Sequence, residues 1–276
     1  MNSVELIQSR PASDGAGVKI NRISRMSDAA MMDPFLMVDE IHSEDADDYI
    51  EGFPSHPHRG FETITVMLAG KMRHRDHLGN NGVIEAGGGQ WMTTGRGVIH
   101  SEIPEQDEGL LHGFQVWLNL PAEEKMQRAS YQDLAAESWV EANIDGVQVR
   151  GIGGVLSVNE EPFTAPVIRP KTQASVYTLK AKQAVQVQVA HPENQKFLLY
   201  VYEGEAQINQ RAAKRGQMLL VEGLSDFDLK LGKNAGVLLL SGKPLNEPVV
   251  QYGPFVMNTM DQVNQAVIDY RNDELV

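Results

Sequence analysis

The chain has 276 residues, enough for one large domain or two of ordinary size, and it carries a formal net charge of −13 with a pI near 5.0. An acidic surface lacks the Lys and Arg that release counterions from phosphate backbones, so direct nucleic-acid binding is not expected; without a cysteine there is no disulfide, thiolate nucleophile or sulfur metal site. No apolar run is long enough to span a membrane and no basic segment leads into an apolar block, so a cytoplasmic protein is expected, with the nucleus also open for a eukaryotic source.

Residues 1–50 begin with short mixed strands and reach the apolar run Phe35–Val38, which predicts a strand. The acidic stretch Ser43–Asp48 reads as a solvated loop, and His42, with no paired neighbour, as structural or exposed. Glu62–Leu68 alternates and is rich in β-branched residues, a strand pattern. A turn at Ala69-Gly70-Lys71 leads into a polar strand through Met72–His77, and Gly79-Asn-Asn-Gly82 marks a hairpin to Val83–Glu85. Gly89–Thr93 continues the meander. His74 and His77 are three apart, a helical spacing; in a strand they read as surface residues or as supports for a neighbouring site. The glycines at 87–89, 95 and 97 lack the Gly-Lys-Ser/Thr ending of a phosphate loop and read as tight turns. Leu111–Pro121 is a further strand, whose Gln115 and Trp117 share a face and suit a cavity wall or ordinary core. Pro121–Gln127 predicts a short helix with proline in its first turn.

The second half repeats the pattern, with strands expected at 176–180, 185–189, 197–202, 218–221, 227–231 and 237–240. Phe197–Gly204 aligns with Thr63–Gly70, and Gly216-Gln-Met-Leu-Leu with Gly89-Gln-Trp-Met-Thr, as in an internal duplication. Carried forward, the second alignment places Phe227 on His100 and Leu229 on Glu102. His191 has no partner two residues away. In the tail, Thr259 and Gln262 form a capping-box pattern, followed by Val263, Ala266, Val267 and Tyr270 at helical spacing.

Two pairs of candidate metal ligands stand out. His56 and His58, and His100 and Glu102, are each spaced i, i+2, so each pair leaves one face of a strand. If the intervening strands close a barrel, the pairs can converge inside it. Three imidazoles and a carboxylate suit Fe, Mn, Ni, Cu or Zn and can leave coordination positions open. A closed tetrahedral site that only braces the barrel remains a further reading.

These segments resemble the paired motifs of the cupin superfamily and, more closely, the pirin family. His56-Pro-His-Arg-Gly-Phe-Glu-Thr63, Gly97-Val-Ile-His-Ser-Glu102 and Gly253-Pro-Phe-Val-Met-Asn-Thr259 are similar to pirin signatures, and the likeness covers essentially the whole chain. Three departures from the cupin pattern are that His56 falls one residue early, the closing Gly70 falls one residue late and Gly95 stands where proline is usual. The resemblance implies an all-β protein of two jelly-roll-like cupin barrels, 1–140 holding the metal and 141–245 without one. A segment at 246–276 would return its helix to the first barrel.

The same resemblance implies one divalent metal, Fe(II) first and Mn, Ni, Cu or Zn as alternatives, on His56, His58, His100 and Glu102. Glu102 could also act as a base. Glu62, a ligand in most cupins, would instead orient a histidine through its other ring nitrogen, and Arg59 would either attract an anionic substrate or form an exposed ion pair. The expected activity is that of a dioxygenase using O₂ on a chelating enol or flavonol such as quercetin, opening its central ring with release of carbon monoxide. The alternative is an iron-dependent redox regulator acting through a protein partner, in transcription or pyruvate metabolism. The resemblance also implies a monomer.

Overall fold

A computed structural model describes residues 3–23 and 29–276. The chain divides into two compact units. One comprises Arg10–Ala29, Phe35–Glu137 and Asn246–Val276; the other comprises Met1–Ser9, Ala30–Pro34 and Ser138–Leu245.

The first unit is a barrel of two antiparallel sheets. Its seven-stranded sheet runs, in spatial order, Ser130–Leu134, Gly89–Thr93, Phe61–Ala69, Leu111–Asn119, Phe35–Ser43, Val18–Ile23 and Arg10–Asp14. The four-stranded sheet runs Phe53–His58, Val98–Pro104, Lys71–Asp76 and Asn81–Glu85. Alternation sends Ile41, Met67 and Leu111 of the large sheet against Met72 and Ile84 of the small one, closing one end with apolar packing. Each such fully buried side chain contributes about 1.5–3 kcal/mol of transfer free energy.

The tail returns to this barrel. Thr259 caps the helix Met260–Arg271, receiving the Gln262 amide while the Gln262 side chain accepts from the Thr259 backbone N–H. Ala266 and Val267 then pack with Phe255, Leu275 and Ile99, the last from a barrel strand. The motif glycines permit this approach: a Cβ on Gly60, whose φ is +93°, would collide with the Val256 carbonyl, and one on Gly97 with that of Leu275.

The second unit repeats the strand order. Its large sheet runs Ser3–Gln8, Gln217–Glu222, Lys196–Glu203, Gly236–Gly242, Ser175–Ala181, Val147–Gly153 and Val140–Ile144. Its smaller sheet contains Val185–Ala190, Asp226–Leu231, Glu205–Ile208 and Arg211–Lys214 in the order of the first barrel's four, extended by Val155–Val158 and Glu161–Thr164. Every strand expected in this half is present. The opening residues behave differently from the sequence reading, which placed them with the first half. Ser3–Gln8 pairs with Gln217–Glu222, Ser3 opposite Glu222 and Gln8 opposite Gln217, and Val4 packs on the second core. The helix expected at 121–127 is a single 3₁₀ turn, Ala122–Glu124. It stops there as Lys125 turns inward, its ammonium donating to Gly60 O and Asn119 Oδ1, each at 2.6 Å, and to Val256 O at 3.1 Å. Among the described residues no helix is long and apolar enough to cross a membrane.

Candidate metal centre

The strand Val98–Pro104 is the spine of the site. His100 and Glu102 leave the same face, and the ladder on each side supplies a partner for one of them. His56 lies directly opposite His100, and His74 directly opposite Glu102. His58, two residues beyond His56, joins the same face. Donor atoms of His56, His58 and His100 lie within 4.8 Å of one another, as do those of His74, His100 and Glu102, so the two groups share His100.

The geometry of the nitrogens suits an ion. His56 Nδ1 is 2.8 Å from the Pro54 carbonyl, which can only accept, so this nitrogen carries the proton and Nε2 presents its lone pair. That Nε2 sits 3.0 Å from His58 Nε2. Two nitrogens each about 2.1 Å from one ion, at right angles, would be about 3 Å apart. His100 Nδ1 is 3.5 Å from His74 Nδ1, while the buried Nε2 atoms of both rings have no hydrogen-bond partner among the described residues.

Burial sets the charge state. His58 and His100 are held well below the ordinary imidazole range, first by burial and then by neighbouring imidazoles, His56 acting on His58, and His58 and His56 on His100. Burial also lowers His56 and His74. The rings are therefore neutral lone-pair donors. Glu102, only 6% exposed, is pushed up to about 7 by burial, against the opposing pull of the Thr65 hydroxyl 3.3 Å away. Neutral imidazoles with orphaned nitrogens beside a carboxyl that burial resists charging fit a divalent transition metal, which would satisfy both at once.

A cavity of about 660 Å³ adjoins the cluster, within the roughly 300–1,000 Å³ range of small-molecule sites. His56, His58 and Glu102 line it together with Gln115 and Trp117, the two residues whose face the sequence left open between wall and core. Trp117 meets the His58 ring edge-on, with centroids 5.3 Å apart, and tilts over Phe61 at 4.3 Å.

Other expected residues fall elsewhere. His74 is not on the surface: it is buried beside His100, in the supporting position. His77 is the exposed member of that pair, accepting the Ile99 amide. His42 packs edge-on against His112 at 4.5 Å, and His112 Nε2 sits 3.0 Å from Glu40, away from the cluster. Glu62 takes a 2.5 Å hydrogen bond from Thr93, and alternation puts it on the strand face opposite Thr65, which reaches Glu102. That face does not suit the expected role of orienting a site histidine. Arg59 corrects both of its expected uses. It is buried, pairs with Asp269 at 2.6 Å and donates to the carbonyls of Arg96 and Leu275, so it fastens the returning helix. Sequence reasoning missed Lys125, and also Arg22 and Asp39 on the cavity wall. Only the non-local strand register would have revealed them.

In the second barrel, the ladder puts Phe227 opposite Val189 and hydrogen-bonds His191 to Ser225. By that register Val189, His191, Phe227 and Leu229 take the places of His56, His58, His100 and Glu102. His191 stacks on Phe197 at 5.2 Å, so a single imidazole among aromatic and aliphatic side chains stands where the first barrel has four donor residues.

The pirin family model matches residues 17–118, and the model of the pirin C-terminal cupin domain matches residues 176–276. The chain is 45% identical, over 99% of its length and 97% of the relative's, to a Pseudomonas aeruginosa protein named "Putative quercetin 2,3-dioxygenase". It is 43% identical to a Vibrio cholerae protein of the same description, covering 96% of this chain and 94% of that one. A crystal structure of quercetin 2,3-dioxygenase from Acinetobacter baumannii superimposes with a TM-score of 0.90 at 28% identity, over 100% of this chain and 98% of that one.

Proposed function

This chain belongs to the pirin family, with two cupin domains, and we propose that it is a metal-dependent dioxygenase of the quercetin 2,3-dioxygenase type, acting on a chelating enol of the flavonol class. The observation that carries the reading is the pair of donor groups His56–His58–His100 and His74–His100–Glu102, joined through His100, with His56, His58 and Glu102 lining a cavity large enough for a small molecule. These four residues would hold one divalent metal, Fe(II) in our reading. When bound, it supplies a Lewis acid that polarises an enol oxygen and a place for O₂.

The protein's own groups do the rest. The Pro54 carbonyl fixes the His56 tautomer, so that Nε2 is the donor without any ring rotation. His74 stands against Nδ1 of His100, and Nε2 of His100 keeps its lone pair without a hydrogen-bond partner among the described residues. In this reading Glu102 takes the enol proton as a substrate binds, and the Thr65 hydroxyl 3.3 Å away favours the ionised carboxylate that the transfer requires. Trp117 and Phe53 offer apolar walls to a flat ligand and exclude water from it.

The reading is tested by O₂ consumption of anaerobically Fe(II)-loaded protein given quercetin, beside metal-free protein and H56A. Uptake that needs the metal, with matching loss of flavonol absorbance, is expected. No uptake by protein holding stoichiometric iron would refute the assignment.

A further inference from the structure

One wall of the cavity carries a polar row. Thr65, Gln115, Asp39 and Arg22 are direct neighbours across four hydrogen-bonded strands, so they share a face. At the near end Thr65 Oγ1 lies 3.3 Å from Glu102 Oε1 and 2.8 Å from Gln115 Oε1. At the far end Arg22 is gripped by two carboxylates. Its Nε and Nη2 reach Asp39 at 2.9 and 2.6 Å, and Nη2 reaches Asp14 at 2.5 Å. Three strand spacings separate Thr65 from Arg22, roughly 14 Å between Cα atoms. Ile20, Leu36, Met37 and Trp117 line the same cavity.

We propose that Asp14, Arg22 and Asp39 form a specificity site for the end of the ligand remote from the chelating enol, and that it takes a neutral phenolic hydroxyl there. This deepens, and rests on, the flavonol reading of the cavity. Two carboxylates against one guanidinium leave the wall with a net negative charge, which disfavours a carboxylate on the ligand. Arg22 Nη1 has no protein partner among the described residues, so it can donate to a hydroxyl oxygen while that hydroxyl donates to the half-exposed Asp14 carboxylate, both oxygens of Asp39 being taken by Arg22. The two anions also immobilise the guanidinium before any ligand arrives. The separation favours a ligand of two or more rings with a flat apolar body between its polar ends.

The test is equilibrium binding under argon to Fe(II)-loaded protein, where no turnover occurs, using quercetin and 3-hydroxyflavone. Both carry the chelating 3-hydroxy-4-keto unit, and only quercetin has hydroxyls on the outer rings. Wild type should prefer quercetin on the order of tenfold, the value of one hydrogen bond to a charged group. In R22Q and D14N that preference should fall several-fold, by the share that the hydrogen bond to this site contributes. Metal content and 3-hydroxyflavone affinity should not change. A role confined to bracing the strands would leave the ratio intact, and an intact ratio in D14N, whose side chain is half exposed and safe to alter, overturns the proposal even if R22Q fails to fold. If neither flavonol binds loaded protein more tightly than metal-free protein, the flavonol reading fails and the specificity site with it.

Discussion

Replacing Glu102 by glutamine isolates what an ionised carboxylate costs in metal-free protein. Burial raises this carboxyl from 4.5 to about 7, so the folded metal-free protein holds a proton that the unfolded chain has released. Stability from this group is fully present below pH 4.5, declines as the pH rises and is lost through pH 7. That difference corresponds to about 3 kcal/mol, and the near-complete enclosure of the side chain keeps solvent from screening it. The amide has the same shape, can meet the Thr65 hydroxyl and never charges. Metal-free E102Q should therefore be more stable than metal-free wild type at pH 8.5, by up to about 3 kcal/mol, and indistinguishable from it near pH 4.5. Urea unfolding followed by tryptophan fluorescence at both pH values measures this, since Trp91 and Trp117 both lie in the first barrel. Adding Fe(II) should then reverse the order, because only wild type offers a carboxylate to the ion. Equal stability at pH 8.5, or a gain of the same size at both pH values, would refute the placement of Glu102 in an enclosed site.

Removing the support of His100 by H74Q should weaken metal affinity about tenfold to a hundredfold without abolishing it, whereas H191A should leave metal content unchanged; metal analysis after dialysis against a chelator distinguishes them. D269N breaks the Arg59 ion pair, and hydrogen exchange across the helix Met260–Arg271 should accelerate by the equivalent of about 1–3 kcal/mol while the strands of the second barrel are unaffected. K125M leaves three buried acceptors without their donor. It should lower stability by about 2–4 kcal/mol as measured by urea unfolding, and a neutral result would show that the ammonium is not buried as described.

Local pattern carried the metal donors a long way. The i, i+2 spacing of His56 with His58 and of His100 with Glu102 depends only on strand alternation, and the duplication was visible because the apolar strands kept their lengths. The capping box of Thr259 and Gln262 was equally local. His74 was not legible by this route. Its place beside the site comes from lying opposite Glu102 in a ladder, and sequence spacing does not encode register between separated strands. Arg59 was misread for a related reason. Its partner Asp269 lies far along the chain, and nothing around residue 59 announces that a helix will cover it. The row from Thr65 to Arg22 is likewise assembled from four strands with no common sequence signature. Ser3–Gln8 shows the same limit, since an edge strand takes whichever sheet offers an open ladder.

The returning tail imposes an order on synthesis. Gly60, Gly97, Arg59 and Lys125 all take partners from residues 256–275, which leave the ribosome only after the whole of the second barrel. Until then the buried guanidinium and ammonium groups of the first barrel lack several of their acceptors, while the second barrel already has every strand it needs. The half without the donors is thus free to fold first, and the half that carries them closes around them late.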